Sequence, residues 1–279
     1  MRTVAIFGVG LIGGSFALAL RKAGFTGRIL GVSSPGTIRR ALDLNVIDAG
    51  VSDEEAARSA DLIYLSQPIL RIIECLPELS KWVQPGSLVT DAGSTKSAIV
   101  ERATVLFAPG QFLGGHPMAG RVRRGVEAAE AELFRSRPYV LTPHPLAQPE
   151  NPVAREFEAW IRKIGAVPIV LDPAEHDRAV AFTSHLPQLA STALAALLEA
   201  RPEPKSGVFG PALVDSTRLA LSSFDIWGDI LATNRGPILE ALRNYIAKLE
   251  EFCKDFELAP MERQFEQAAR FAASLRDPG

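Results

Sequence analysis

A short run near the start of the chain, Val4-Ala5-Ile6-Phe7-Gly8-Val9-Gly10-Leu11-Ile12-Gly13-Gly14-Ser15, constrains its fold more than any other stretch. The apolar residues Val4 to Phe7 read as a strand buried on both faces. The run from Ser15 to Leu20 is helical in composition. Between them the spacing Gly8-x-Gly10-x-x-Gly13 divides three tasks. Gly8 permits the tight turn, Gly10 lets backbone approach a pyrophosphate, and Gly13 lets the helix pack closely on the strand. The helix start then offers unpaired N–H groups and a positive dipole end to an anion. Gly8, Gly10, Leu11, Ile12 and Gly13 are therefore candidate cofactor-binding positions. A glycine-rich turn without a ligand is the competing reading, and its place between a strand and a helix favours a dinucleotide.

At 279 residues the chain is long enough for two domains. A formal net charge of −2 leaves no basic footprint for nucleic acid. The two cysteines, Cys75 and Cys253, lie far apart without metal-ligand spacing, which suits a reducing compartment and two buried thiols. No apolar run is long enough to span a bilayer and the chain opens directly on a strand, so the expectation is a cytoplasmic enzyme with no membrane or metal partner.

Along the chain, Arg28 to Val32 reads as the second strand, whose end faces the adenosine ribose in a unit of this kind. An acidic residue there would bind the 2′-hydroxyl. This chain has Ser33-Ser34, followed by Thr37, Arg39 and Arg40. Hydroxyls with nearby arginines suit a 2′-phosphate, so Ser33, Ser34 and Arg39 point to NADP, with NAD as the alternative. The competing reading places Arg39 and Arg40 on the solvated face of a helix from Ile38 to Leu44. Strands are predicted at 60–65 and 87–91, with a helix at 69–79 between them. Ser66 and Pro68 stop the first of these strands where a cofactor would lie. Ser94 follows the second, where it could cap a helix beginning near Lys96 or touch a substrate.

His116, after two glycines and before Pro117, is placed on a loop at the carboxyl edge of the sheet, a location that favours chemistry over a structural role. A strand at 139–142, a proline-rich loop from Pro143 to Pro152 with a solvated His144, a helix at 153–164 and a strand at 166–171 complete the alternating part. From Asp172-Pro173 onward the character changes. Helices are predicted at 179–198, 211–221, 226–234 and 237–258, rich in Ala and Leu. The expected architecture is an α/β, Rossmann-type dinucleotide-binding domain over residues 1–171 and an all-helical substrate and dimerisation domain over 172–279. The helical part is expected to bury one face against a second copy, giving a homodimer.

Taken together, these residues resemble the prephenate/arogenate dehydrogenase family of tyrosine biosynthesis, the TyrA type. The resemblance spans nearly the whole chain. It rests on the glycine turn, on Thr90-Asp91-Ala92-Gly93-Ser94-Thr95-Lys96, and on Gly114-Gly115-His116-Pro117-Met118-Ala119-Gly120. It rests also on Thr183-Ser184-His185-Leu186-Pro187 and Asp215-Ser216-Thr217-Arg218-Leu219-Ala220, then on Asp225-Ile226-Trp227-Gly228-Asp229-Ile230 and Asn234. The resemblance implies an oxidative decarboxylation of a small-molecule substrate. Prephenate would give a hydride to a nicotinamide cofactor, lose carbon dioxide and become 4-hydroxyphenylpyruvate. It implies that His116 hydrogen-bonds the ring hydroxyl, with Ser94 beside it as the second catalytic residue. Substrate binding would fall to His185 and to Arg218, whose guanidinium fork matches a carboxylate.

The sequence departs from the family pattern at two points. Arg121-Val122-Arg123-Arg124 follows Gly120, where a threonine and an acidic residue are usual, and no acidic residue follows Val32. A cationic loop beside the pocket favours prephenate, with two carboxylates and no amine, over arogenate, though such a run is commonly just solvated. Arogenate dehydrogenase, another Rossmann dehydrogenase with a helical domain, and a nucleotide sensor without catalysis are the alternatives.

Overall fold

The computed structural model describes residues 1–121, 123–143, 151–254 and 256–276, with the Lys205 side chain excepted. His144 and most of its loop lie outside them. The first half alternates strands and helices: β1 Thr3–Phe7, α1 Leu11–Lys22, β2 Arg28–Val32, α2 Pro35–Asp43, β3 Ala49–Gly50, α3 Asp53–Ser59, β4 Leu62–Leu65 and α4 Ile69–Leu79. It continues with β5 Leu88–Asp91, α5 Ser97–Thr104, β6 Phe112–Pro117, β7 Pro138–Pro143, α6 Pro152–Lys163 and β8 Val167–Val170. All eight strands form one sheet in the order β3-β2-β1-β4-β5-β6-β7-β8. The first six in that order run parallel, and β7 turns back antiparallel on β6. The chain reverses direction about β1, so the ends of β1 and β4 flank the crevice where such sheets hold ligands.

The period of two along β1 sorts its side chains to opposite faces. Val4 and Ile6 join one apolar layer with Phe16, Leu20, Tyr64 and Phe157. Ala5 and Phe7 join the other, with Leu65, Ile72, Leu76 and Ile99. That second layer also takes in Ala181, Ile230, Ile238 and Ala241 from the C-terminal half. The helical half is thus packed on the nucleotide half through one continuous core.

The helical half comprises α7 Pro173–Val180, α8 Leu186–Glu199, α9 Pro211–Thr217, α10 Phe224–Thr233, α11 Arg235–Lys254 and α12 Leu258–Ser274. The single helix expected over 179–198 is instead α7 and α8 joined by a π-helical turn, Ala181–His185. Pro187, in the first turn of α8, has no N–H for the carbonyl of Thr183 and its ring crowds that oxygen, which widens the turn before it. The helix expected over 211–221 tightens into a 3-10 turn at Arg218–Leu221. Of the two thiols expected to be buried, Cys75 is half-buried and Cys253 is exposed on α11. Two helices escaped the periodicity reading. α3 buries only Ala56 and Ala57, too little apolar signal, and α12 has no buried residue at all.

Candidate functional site

The glycine turn is built as its spacing demands. Gly8 has φ +89°, and a Cβ at Gly13 would lie 2.4 Å from both the Gly8 carbonyl oxygen and Ser66 Oγ. A Cβ at Gly10 would meet nothing within 4 Å. The side of the turn that must accept a ligand is therefore open, and α1 begins at Gly10 with no side-chain cap on its first N–H groups. This cradle fits a dinucleotide pyrophosphate. Ser66 holds the turn from behind: its hydroxyl donates to the carbonyls of Gly8 (2.9 Å) and Phe7 (3.2 Å). Past β2, Ser33 and Ser34 are exposed, and Ser34 caps α2 by accepting from Thr37 N–H. Arg40 pairs with Glu127, whereas Arg39 is exposed with no ion pair among the described residues.

A cleft of about 310 Å³ opens between the two halves. Ile12, Ser66, Pro68 and Ser94 line its nucleotide side, and Arg124, Asp225 and Asp229 its far side. Arg124 Nη1 lies 3.6 Å from Asp225 Oδ2, while Arg121 pairs with Glu130. Asp229 reaches across to accept from the Leu70 N–H at the start of α4 (3.1 Å).

Ser94 does not cap α5. Asp177, from α7, does so: Oδ1 accepts from Lys96 N–H (2.7 Å) and Oδ2 from Ser97 N–H (2.8 Å). Ser94 is left half-buried on the cleft without a hydrogen-bond partner among the described residues. His116 is not on a loop either. It is the penultimate residue of β6, opposite Val140 of β7. The two glycines before it explain why a strand persists here: Cβ atoms at Gly114 and Gly115 would lie 2.2 Å from Thr142 Oγ1 and 2.5 Å from the Asp91 carbonyl oxygen. Only bare backbone threads between β5 and β7 at this point. Because β6 runs parallel to β5, His116 still reaches the carboxyl edge, with Gly8, Ser66 and Ser94.

A polar chain then crosses the interface. His116 Nδ1 lies 2.8 Å from His176 Nε2, and His176 Nδ1 lies 2.9 Å from Asp177 Oδ1. The Asp177 backbone carbonyl accepts from Asn234 Nδ2 (2.7 Å), which is 3.3 Å from His185 Nδ1. His185 packs edge-on against Trp227, with ring centroids 5.7 Å apart. Beneath His116, the buried Lys96 ammonium pairs with Asp91 and donates to the Gly115 carbonyl (2.8 Å). Burial, with the neighbouring His176, Lys96 and His185, holds the His116 imidazole well below its ordinary range. It is therefore neutral at neutral pH. Burial lowers His185 to about 4, against the opposing pull of Asp177. Burial alone would raise the Asp177 carboxyl, but hydrogen bonds from His176, Ser97 and Lys96 hold it below its usual range.

The expected residues thus fall into groups. Ile12, Ser66, Pro68 and Ser94 share the cleft, and His116 and His185 are linked through His176, Asp177 and Asn234. Arg218 is exposed on its 3-10 turn and joins neither group. Sequence reasoning missed His176 and Asp177. Their one signal was a His-Asp doublet just inside the first helix of the second half, nine residues before His185, which by itself reads as a polar helix turn.

Fold and cleft together define a class: a two-domain, dinucleotide-dependent oxidoreductase. The family model "Prephenate dehydrogenase, nucleotide-binding domain" matches residues 16–169, and "Prephenate dehydrogenase, dimerization domain" matches residues 172–273. The chain belongs to the prephenate dehydrogenase family, whose cofactor is a nicotinamide dinucleotide. Among its relatives, the prephenate dehydrogenase of Lactococcus lactis is 34% identical over 258 residues, covering 90% of this chain and 70% of the relative. Among solved structures, the Aquifex aeolicus prephenate dehydrogenase in complex with hydroxyphenyl propionate and NAD+ is similar with a TM-score of 0.85 and 30% identity, over 99% of this chain and 96% of that one. The Synechocystis arogenate dehydrogenase is similar with a TM-score of 0.85 and 28% identity, over 98% of this chain and 99% of that one.

Proposed function

We propose that the chain converts prephenate to 4-hydroxyphenylpyruvate by oxidative decarboxylation, with NADP as its cofactor. The observation that carries this reading is His116: neutral, half-buried, at the carboxyl edge of the sheet, with Nδ1 engaged by His176 and no partner on Nε2 among the described residues. Such a ring is a base ready to take the hydroxyl proton of a ring carbinol. A nicotinamide dinucleotide, when bound, supplies the hydride acceptor. The glycine turn and α1 would hold its pyrophosphate, and Ile12 and Pro68 would border it. Ser94, whose hydroxyl on the cleft has no partner among the described residues, would orient the substrate hydroxyl beside His116. His185 would form a neutral wall of the substrate pocket. Arg218, exposed on its turn, would have to swing or be carried inward to take a carboxylate, as the family resemblance implies. Aromatisation drives the loss of carbon dioxide, so the protein's task is alignment and one proton transfer.

Two features support the finer assignments. Arg124 lines the cleft, which favours the more anionic prephenate over arogenate. Exposed Ser33 and Arg39, which has no ion pair among the described residues, with no acidic residue directly after β2, favour a 2′-phosphate and hence NADP over NAD. The division into a nucleotide domain to residue 171 and a helical domain from 172 follows the capped start of α7 at Asp172. Leu221, Phe224 and Leu258 are 82%, 72% and 93% exposed in the single chain, which supports a homodimer that covers them. No helix among the described residues is long and apolar enough to cross a membrane, in keeping with a cytoplasmic place.

The test crosses prephenate and arogenate with NAD and NADP and follows nicotinamide reduction by the purified protein. Prephenate with NADP as the preferred pair is the expected result. Preference for arogenate would show that Arg124 does not read the substrate, and preference for NAD that Arg39 does not read the cofactor. Nucleotide binding without turnover of any pair would overturn the reading in favour of a sensor.

A further inference from the structure

We propose that His176 and Asp177 are positioning residues that lock His116 in one tautomer, Nδ1–H, and that His176 receives charge when His116 takes up a proton. The proposal rests on the reading of His116 as the base. Its ground is a chain of three groups whose donor and acceptor roles are forced from one end.

Asp177 is the fixed end. Both of its oxygens already accept backbone N–H groups at the start of α5, and its carboxyl is held ionised by the donors around it. A carboxylate can only accept, so the Nδ1 that His176 brings within 2.9 Å must carry the proton. A His176 ring that carries one proton then has a bare Nε2. That nitrogen lies 2.8 Å from His116 Nδ1, so His116 must donate, which puts its own proton on Nδ1 and leaves Nε2 bare. His176 is 1% exposed, so no water competes for its side of the chain, whereas the His116 ring keeps a share of solvent. The other charged or titratable groups around the pair are Lys96 with its partner Asp91 below, and His185 across the interface. None of them accepts a proton from His116 among the described residues.

The same chain supplies a place for the arriving charge. As the substrate O–H bond breaks and a proton joins His116 Nε2, the Nδ1–H bond of His116 can break and that proton join His176 Nε2. His116 ends neutral in its other tautomer. His176 ends as an imidazolium, with its Nδ1–H still on the Asp177 carboxylate. Atoms and charge balance without a further co-reactant, and the positive charge ends on the ring that donates to the Asp177 carboxylate. Because Asp177 and His176 belong to α7 and His116 to β6, the base is set correctly only when the two domains are docked.

The first test needs no variant. With four histidines in the chain, ¹⁵N-imidazole NMR of the intact protein at neutral pH can resolve each ring. The expected signature is His116 protonated on Nδ1 and His176 likewise, and a His116 ring protonated on Nε2 would overturn the proposal outright. In activity assays, His176→Leu should lower kcat roughly a hundredfold, within the range of a general-base contribution. Substrate and cofactor KM should stay within about threefold, since His176 is buried and does not line the cleft. His176→Gln offers an amide oxygen to the His116 Nδ1–H and should restore the tautomer signature with only part of kcat, because an amide cannot take the proton. Equal kcat in His176→Leu and wild type, or a fall in kcat matched by a rise in both KM values, would overturn it. Full activity in His116→Asn would instead remove the base reading itself, while the tautomer spectrum would still decide how His116 is held.

Discussion

Acid should unfold this protein through its histidines before its carboxylates, and His185 allows the size of the effect to be worked out. The ring is 1% exposed and burial holds it at about 4, against an ordinary value of about 6.5 in the unfolded chain. Above pH 6.5 the ring is neutral in both states and contributes nothing to the pH dependence. Below that value the unfolded chain binds the proton and the folded one does not, so stability falls as pH falls and the loss is complete below pH 4. A gap of this size corresponds to about 2 kcal/mol lost by pH 5 and about 3 kcal/mol in all. His116, also held low by burial, acts in the same direction. Urea unfolding at pH 7 and pH 5, compared between the wild type and His185→Gln, isolates the term, because the carboxylates are common to both. The wild type should lose about 2 kcal/mol more than the variant over that interval. Identical losses would refute the claim that a neutral His185 is built into the interface.

Other perturbations test other parts of the account. Gly13→Ala drives a Cβ into the Gly8 carbonyl, which is backbone and cannot yield, so the turn must shift. Dinucleotide affinity measured by fluorescence should fall at least about tenfold, with about 1–3 kcal/mol of stability lost to overpacking. Unchanged affinity would mean the turn does not hold the cofactor. Lys96→Met leaves the buried Asp91 carboxylate with the Gly93 and Gly115 N–H groups as its only donors among the described residues. The cost should be about 3–5 kcal/mol in denaturant unfolding, and a loss below about 1 kcal/mol would show the pair to be dispensable. Arg124→Ser should raise the KM for prephenate several-fold and leave the cofactor KM alone. Equal changes in both would make Arg124 a structural residue that holds Asp225.

The fold was legible where apolar runs are long or punctuated. β1, β2 and α4 lie within a residue of the spans read from their patterns, since Val4 to Phe7 and Ile29 to Val32 have no alternative to burial. The helical half was legible as helices but not as joints. The π turn at Ala181–His185 depends on how Pro187 strains a helix that packing keeps intact, a balance that local pattern does not express. For the site, the sequence placed Ser94 and His116 at the carboxyl edge of the sheet because their motifs end strands there. Their surroundings were misread for tertiary reasons. The true cap of α5 is Asp177, 80 residues from Ser97, and His116 stays in a strand because β7 returns antiparallel beside it. His176 was invisible because its contact with His116 is set by the docking of two distant parts of the chain.

In the mechanism proposed for this fold, His116 is the base of the hydride-transfer site. Replacing His116 with Asn and measuring turnover and dinucleotide affinity on the same preparation tests it most directly. The kcat should fall by about 10²- to 10⁴-fold while the cofactor Kd stays within about twofold, because His116 belongs to β6 and not to the glycine turn. Undiminished turnover would contradict the claim.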